Sequence, residues 1–312
     1  MREQVDLSYY AAHPKICHLE ATRLQVCVAA ETIRNRGMRG LKQYGLLFGG
    51  MLAYGFKEPV RAALIRSAYA WDRDGDDIFD GDKLLPKGYK DKTEFSQIKR
   101  ELIYRVAQPD SRPLYGDRVD ILLVDYFSLA RRLKIDLLEE SLAIWDTMEL
   151  DGERAAGRRV LTQQALDEYF NKLDFACIGG ALKVAGEKCD SRDLSELSWA
   201  VRTMFNARDF PKDFAQGIIN ISREEMEQVG VDDPVELETQ LQGRETVKQL
   251  LEYEPMRSWY EYHVPRGLDF LKKAQTALER LNLKWETRFA LDRFFVQPTN
   301  KVLNQYAKML VA

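Results

Sequence analysis

The densest chemistry in the sequence is WDRDGDDIFDGD, Trp71 to Asp82, where six aspartates fall within eleven residues after an apolar run. Charge at that density must be solvated or neutralised by a cation. A calcium loop of the EF-hand type fails on spacing, because it needs glycine at its sixth position and glutamate at its twelfth. Starting at Asp76 places Gly81 correctly but ends on Lys87, and starting at Asp72 puts Asp77 where the glycine belongs. If the helical pattern continues instead, Asp76 and Asp80 fall one turn apart on one face, with side-chain bases about 6 Å apart. A second cluster, ARDFPKDFAQG, repeats that spacing with Asp209 and Asp213. Pro211 between them is expected to bend or end its helix. Paired hard oxygen ligands suit Mg2+, which keeps most of its water and is held by one or two carboxylates plus phosphate oxygens. Arg73 and Arg208 stand beside the clusters, where they either pair with the aspartates or add fixed positive charge around an anion. A lone DxxxD reads as a solvated helix end, whereas two facing pairs would hold a diphosphate through bridging magnesium.

The elements that must position these groups read as helices. Apolar residues recur at helical spacing, as in Leu122, Tyr126, Leu129 and Leu133, and period-two alternation is rare, which predicts an all-α chain. Helices are expected at about 19–34, 59–80, 93–106, 118–133, 138–148, 163–185, 194–210, 237–251, 260–281 and 284–303. Ser222 and Glu225 form a capping box that opens a short helix through Gln228. Pro86, Gly88, Pro109, Pro113 and Gly116 mark connections. No polar linker divides the 312 residues, so one domain, 1–312, is the expectation. On the helix before Gly179, Asp167, Asn171, Asp174 and Ile178 share one face, which is expected to turn to a pocket. There Asp174 either serves as a base or acceptor-binding group or pairs with Lys172 or Arg202.

Lys and Arg (46) against Asp and Glu (49) leave a net charge of -3, too balanced for bulk attraction to nucleic acid or an anionic membrane. Four scattered cysteines and three histidines form no zinc pattern. The longest apolar stretch, Tyr44 to Phe56, has 13 residues, short of the roughly 20 needed to span a bilayer. The charged start MREQVDLSYYAAHPK lacks the apolar core of a signal peptide and predicts a cytoplasmic, reduced protein.

Four segments in order resemble the squalene/phytoene synthase family over about Leu41 to Leu303. Tyr69, Ala70, Trp71, Asp72, Arg73, Asp76, Asp77 and Asp80 follow that family's Tyr-Ala-Phe-Cys-Arg-x-x-Asp-Asp-x-x-Asp. Phe205 to Asp213 follow its Asn-Ile-x-Arg-Asp-x-x-Glu-Asp, and Gly217 to Ser222 its Gly-Arg-x-Tyr-Leu-Pro. Trp145 to Asp151 and Glu168 to Gly180 stand in the places of its Asp-Gly-Met-x-Met-Asp segment and its Tyr-Cys-x-x-Val-Ala-Gly-x-Val-Gly helix. The resemblance implies an isoprenoid-synthase helical barrel with a central diphosphate and metal cavity, Mg2+ on Asp76, Asp80, Asp209 and Asp213, and a prenyl diphosphate substrate.

The departures bear on the substrate. Lys212 replaces the family's glutamate, and the glycine-arginine-tyrosine strip becomes Gly217, Ile218 and Asn220. Arg202 and Phe205 replace a glutamine and an asparagine, and the small Ala-Gly-x-Val-Gly notch becomes Asp174 to Ile178. These changes resemble the squalene-synthase-like aromatic prenyltransferases of bacterial carbazole alkaloid pathways. That branch implies transfer from dimethylallyl diphosphate to a carbon of an aromatic acceptor, with Trp71, Phe79, Phe175, Phe205 and Phe210 shortening the donor tunnel. For each of these aromatics the alternative is ordinary core packing. In that reading Asp174, Arg73 and Arg208 are catalytic, and Lys212, Arg202, Asn171, Phe175, Phe205 and Trp71 bind substrate. A head-to-head synthase making presqualene diphosphate, dehydrosqualene or phytoene is the alternative, followed by a terpene cyclase or a non-catalytic assembly subunit.

Overall fold

A computed structural model describes residues 4–157, 160–231, 234–241, 243, 244 and 246–311; the side chains of 35–53, 234–236 and 238 lie outside the described set. The side chains of 44–53, most of the apolar stretch Tyr44 to Phe56, are among those outside it. The chain is all-α as expected. It forms α1 (Leu7–Ala12), α2 (Pro14–Gly55), α3 (Pro59–Asp80), α4 (Lys92–Ala107), α5 (Ile121–Leu133), α6 (Leu138–Gly157), α7 (Gln163–Asp174) and α8 (Gly180–Ala185). These are followed by α9 (Ser195–Ala215), α10 (Arg223–Gln228), α11 (Pro234–Leu241), α12 (Val247–Leu250), α13 (Glu254–Arg280), α14 (Trp285–Leu291) and α15 (Gln297–Leu310). Strands among the described residues are limited to β1 (Val5–Asp6) and β2 (Tyr115–Gly116), an antiparallel pair. No described helix is long and apolar enough to cross a membrane. Two compact units emerge, Met1–Leu150 and Asp151–Ala312.

In the first unit α3 packs on α2 and α5. The buried Asp125 of α5 organises that seam: it accepts from Ser67 Oγ at 2.6 Å and lies 3.1 Å from His18 Nδ1, while Gln25 Nε2 donates to Ser67 at 2.8 Å. An aromatic layer of Trp71, Phe79, Phe95 and Trp145 fills the core, with Trp71 and Trp145 centroids 4.8 Å apart. Lys99, buried, bonds Asp120 Oδ1 at 2.6 Å, and the same oxygen accepts from Trp71 Nε1 at 3.1 Å. A buried charge is tolerated only when paired in this manner.

In the second unit α9 packs against α13 through Ala207, Phe210, Phe214, Trp259, Tyr260 and Val264. Pro211 does not end α9 as expected, because the helix runs four residues further, to Ala215. Proline removes the N–H that would bond the carbonyl of Ala207. The Tyr260 hydroxyl donates to that oxygen instead, at 2.6 Å, and leaves no orphaned acceptor. The helix expected over 163–185 is continuous but carries a π turn at Phe175–Gly179, and 237–251 resolves into α11 and α12. The α10 capping box forms as expected.

Two measurements test this packing. In a solvated helix Gly75→Ala would stabilise by about 1 kcal/mol, but here an added Cβ would meet Trp145 Cζ3 at 2.7 Å. Trp145 is pinned by its hydrogen bond to Ser96 (3.0 Å), so denaturant unfolding should show a loss of about 1–3 kcal/mol. The hydrogen bond to Asp125 raises the His18 pKa above 6.5, outweighing burial. The pair's contribution is therefore full below about pH 6.5 and fades as pH rises through the elevated folded value. The melting-temperature gap between the unchanged protein and His18→Asn should be larger at pH 5.5 than at pH 8.5.

Candidate functional site

The first carboxylate cluster ends α3, which Gly81 closes in the left-handed conformation (φ 83°). The helix sorts its five aspartates by face, and Asp82 lies beyond its end. Asp74 and Asp77 turn inward and are neutralised, Asp74 by Lys83 Nζ at 2.6 Å and Asp77 by the Arg73 guanidinium. Arg73 also pairs with Asp76 and stands 3.9 Å from Asp82. Asp72, Asp76 and Asp80, at i, i+4 and i+8, form a half-buried stripe. Burial first, and then the neighbouring Asp76 carboxylate, push the Asp72 carboxyl up to about 7. Asp72 belongs with the expected pair Asp76 and Asp80, and the DxxxDxxxD spacing was its signal. Trp71 is not on this stripe: it lies in the aromatic core, as does Phe79.

The second cluster lies on α9. Arg208 Nε donates to Asp209 Oδ1 at 2.7 Å, and its guanidinium covers the half-exposed Phe205 ring at 4.7 Å. Lys212 is exposed. Asp213 accepts from Asn220 Nδ2 at 3.5 Å, and Asn220 Oδ1 accepts from Arg154 Nη2 at 2.8 Å. Arg154 is fully buried, donating also to Ile219 O at 2.6 Å and to Asp151 Oδ1 at 3.1 Å, while Tyr169 Oη donates to Asp151 Oδ2 at 2.6 Å. This network orients Asp213, and Arg154 carried no motif signal because its partners are 65 and 66 residues away. Phe210 is core.

Asp174, Asn171 and Arg202 come together as one network. Arg202 Nε donates to Asp174 Oδ2 at 3.2 Å and Nη2 to Asn171 Oδ1 at 3.1 Å. Its guanidinium lies between Phe170 (4.8 Å) and Trp199 (4.5 Å). Of the two pairings open for Asp174, the one with Arg202 is formed. Burial raises the Asp174 pKa and Arg202 offsets part of that rise. Phe175, half-exposed, opens the π turn. A cavity of about 460 Å³ in this unit is walled by Arg202 and Asp167 together with Phe170, Asn206, Trp259 and His263. Asn171, Asp174, Phe175 and Phe205 are not among its walls, so the expected pocket face of α7 lines it only through its first two turns.

Among the described residues no three His, Cys, Asp or Glu side chains converge as a metal cage. The carboxylates at one-turn spacing therefore fit Mg2+ only in the form shared with phosphate oxygens, which needs one or two protein ligands. Of the two causes that lift Asp72, burial is the larger and the neighbouring Asp76 carboxylate the smaller, and a cation would offset only the second.

A solved structure, that of squalene synthase HpnC from Alicyclobacillus acidocaldarius, matches with a TM-score of 0.58 over 94% of this chain and 94% of that chain. The chain has a squalene-synthase-like fold. Sequence identity is 13%, so the likeness carries the fold and leaves the reaction to the side chains. No protein-family model and no curated protein matches the sequence.

Asp174→Asn tests the ion pair. Arg202 is 7% exposed and Asp174 20%, so its loss leaves a mostly buried guanidinium undercompensated. Solvent reaching Asp174 moderates the cost to about 1–3 kcal/mol. A melting temperature that does not move would show that Asn171 and the two rings suffice.

Proposed function

We propose that this protein is a magnesium-dependent prenyltransferase that ionises dimethylallyl diphosphate and passes the prenyl group to a carbon of an aromatic small molecule such as a carbazole. The observation that carries the reading is the half-buried stripe of Asp72, Asp76 and Asp80 at the end of α3, in a squalene-synthase-like fold. Burial and then the neighbouring Asp76 carboxylate raise the proton affinity of Asp72, and a cation beside the stripe would offset the second of these. Magnesium on Asp76, Asp80, Asp209 and Asp213 would neutralise the departing diphosphate.

The chain's own groups divide the remaining work. Arg73 and Arg208 each hold an aspartate of the proposed metal set by an ion pair, Asp76 and Asp209 respectively. Their charge, with that of Lys212, is available to phosphate oxygens when the aspartates turn to a cation. Phe175, half-exposed, supplies a ring face to the carbocation, worth about 0.5–2 kcal/mol, and together with Phe205 limits donor length. Asp174 and Asn171 fix Arg202, so the notch that is small in head-to-head synthases holds a charged, filled network. That favours one prenyl chain and a flat acceptor over two long chains. Head-to-head condensation is the second reading, favoured by the name of the matched structure.

Incubation with Mg2+, dimethylallyl diphosphate and carbazole should give a C-prenylated product, and farnesyl or geranylgeranyl diphosphate alone should not be consumed. Turnover of the long diphosphates alone would establish the second reading. Asp80→Asn and Asp213→Asn should each lower turnover at least about 10²-fold with the fold retained, and excess EDTA should abolish it. Full turnover in EDTA would remove the metal from the account.

A further inference from the structure

The first half of α2 is apolar on two sides, and this chain packs against only one of them. Cys17, Ala21, Gln25 and Val28 form the buried inner face. Cys17 Sγ meets the carbonyl of Ile121 on α5, and Gln25 donates to Ser67 on α3. On the opposite side Ile16, Leu19 and Val26 are 43%, 58% and 67% exposed, and Ala30 is exposed with them. A helix that is apolar all round is the pattern of one covered all round. The outer cover is therefore what has to be identified.

Spacing and charge identify it. Together with Arg23 and the half-buried Ile33, the outer residues recur from 16 to 33 at intervals of 3, 4, 3, 4 and 3, the a and d positions of a heptad seam. These intervals read the same in both directions. A second copy of α2 laid antiparallel about a two-fold axis thus meets the first in register, as an isologous interface requires. Ile16 then faces the partner's Ile33, Leu19 the partner's Ala30 and Arg23 the partner's Val26. A parallel pair would instead set Arg23 against the partner's Arg23 inside the seam, so charge selects the antiparallel direction. The Arg23 guanidinium has Glu20 at 3.4 Å in its own chain, which leaves its methylene stem to cover the valine while its head stays in water.

We infer that the outer face of α2 is the docking surface for a second copy of this chain, paired antiparallel. The inference goes beyond the proposed reaction and does not depend on it. A single seam from 16 to 33 is about 27 Å long. It lies at or below the lower end of stable interfaces, about 1,200 Å². The dimer should accordingly form reversibly, with a Kd on the order of 10 µM.

Sedimentation velocity of the full chain across about 1–200 µM should show monomer at the low end and a species of twice that mass at the high end. Leu19→Asp, at an exposed position that leaves the fold intact, should weaken the dimer at least about tenfold. Val26→Glu and Val26→Lys test the direction. Antiparallel pairing places the new charge against the partner's Arg23 twice per dimer, so Val26→Glu should keep the dimer and Val26→Lys should be at least about tenfold weaker than Val26→Glu. In a parallel pair position 26 faces its own copy, and both charges disrupt alike; equal loss by the two variants overturns the antiparallel register. A dimer indifferent to Leu19→Asp and to both Val26 variants overturns the assignment of this face. Monomer at every concentration overturns the inference outright, and sedimentation of that monomer with phosphatidylcholine–phosphatidylglycerol vesicles would give the face to a lipid surface instead.

Discussion

Like charge packed into a half-buried helix end is the constraint on which the candidate chemistry depends. Six aspartates between Asp72 and Asp82 would repel α3 apart if all kept their charge without partners. The fold resolves this by splitting them. Lys83 and Arg73 neutralise the inward Asp74 and Asp77 with direct ion pairs. Asp76 takes a share of the Arg73 charge, and the carboxyl of Asp72, through burial first and the Asp76 carboxylate second, holds its proton to about pH 7. A bound cation would shift that balance in favour of the ionised form.

The second unit solves a related problem with neutral partners. Pro211 would break α9 between Asp209 and Asp213 and spoil their one-turn spacing, were it not for the Tyr260 hydroxyl at the Ala207 carbonyl. Asp213 is then aimed by Asn220, which is itself held by the buried Arg154. Each of these bonds serves a buried or half-buried polar atom, and losing one costs about 0.5–3 kcal/mol. Rigidity of this kind is what a site that must stabilise developing charge requires.

Helix identity was legible wherever apolar periodicity was strong: 59–80 is reproduced as α3 to the residue, and 93–106 as α4 within one residue at each end. Early ends such as that expected at Phe210 came from applying the proline rule locally, when the compensating donor lies 53 residues away in sequence. The carboxylate stripe was legible because it is local, and even there Asp72 passed unnoticed beside the Asp76 and Asp80 pair. Pairing of Asp174 with Arg202 was foreseeable only as one of two options, since 28 residues separate them.

The central claim is that crowded carboxylates make this fold a receptor for metal-bound diphosphate. Isothermal titration of inorganic diphosphate into the protein at pH 7, with and without Mg2+, tests it most directly. The account predicts binding with Mg2+ and at least about tenfold weaker binding without it, since bare diphosphate meets repelling carboxylates. Diphosphate binding of equal strength without Mg2+ would contradict it and make Arg73, Arg208 and Lys212 the anion site in place of a metal.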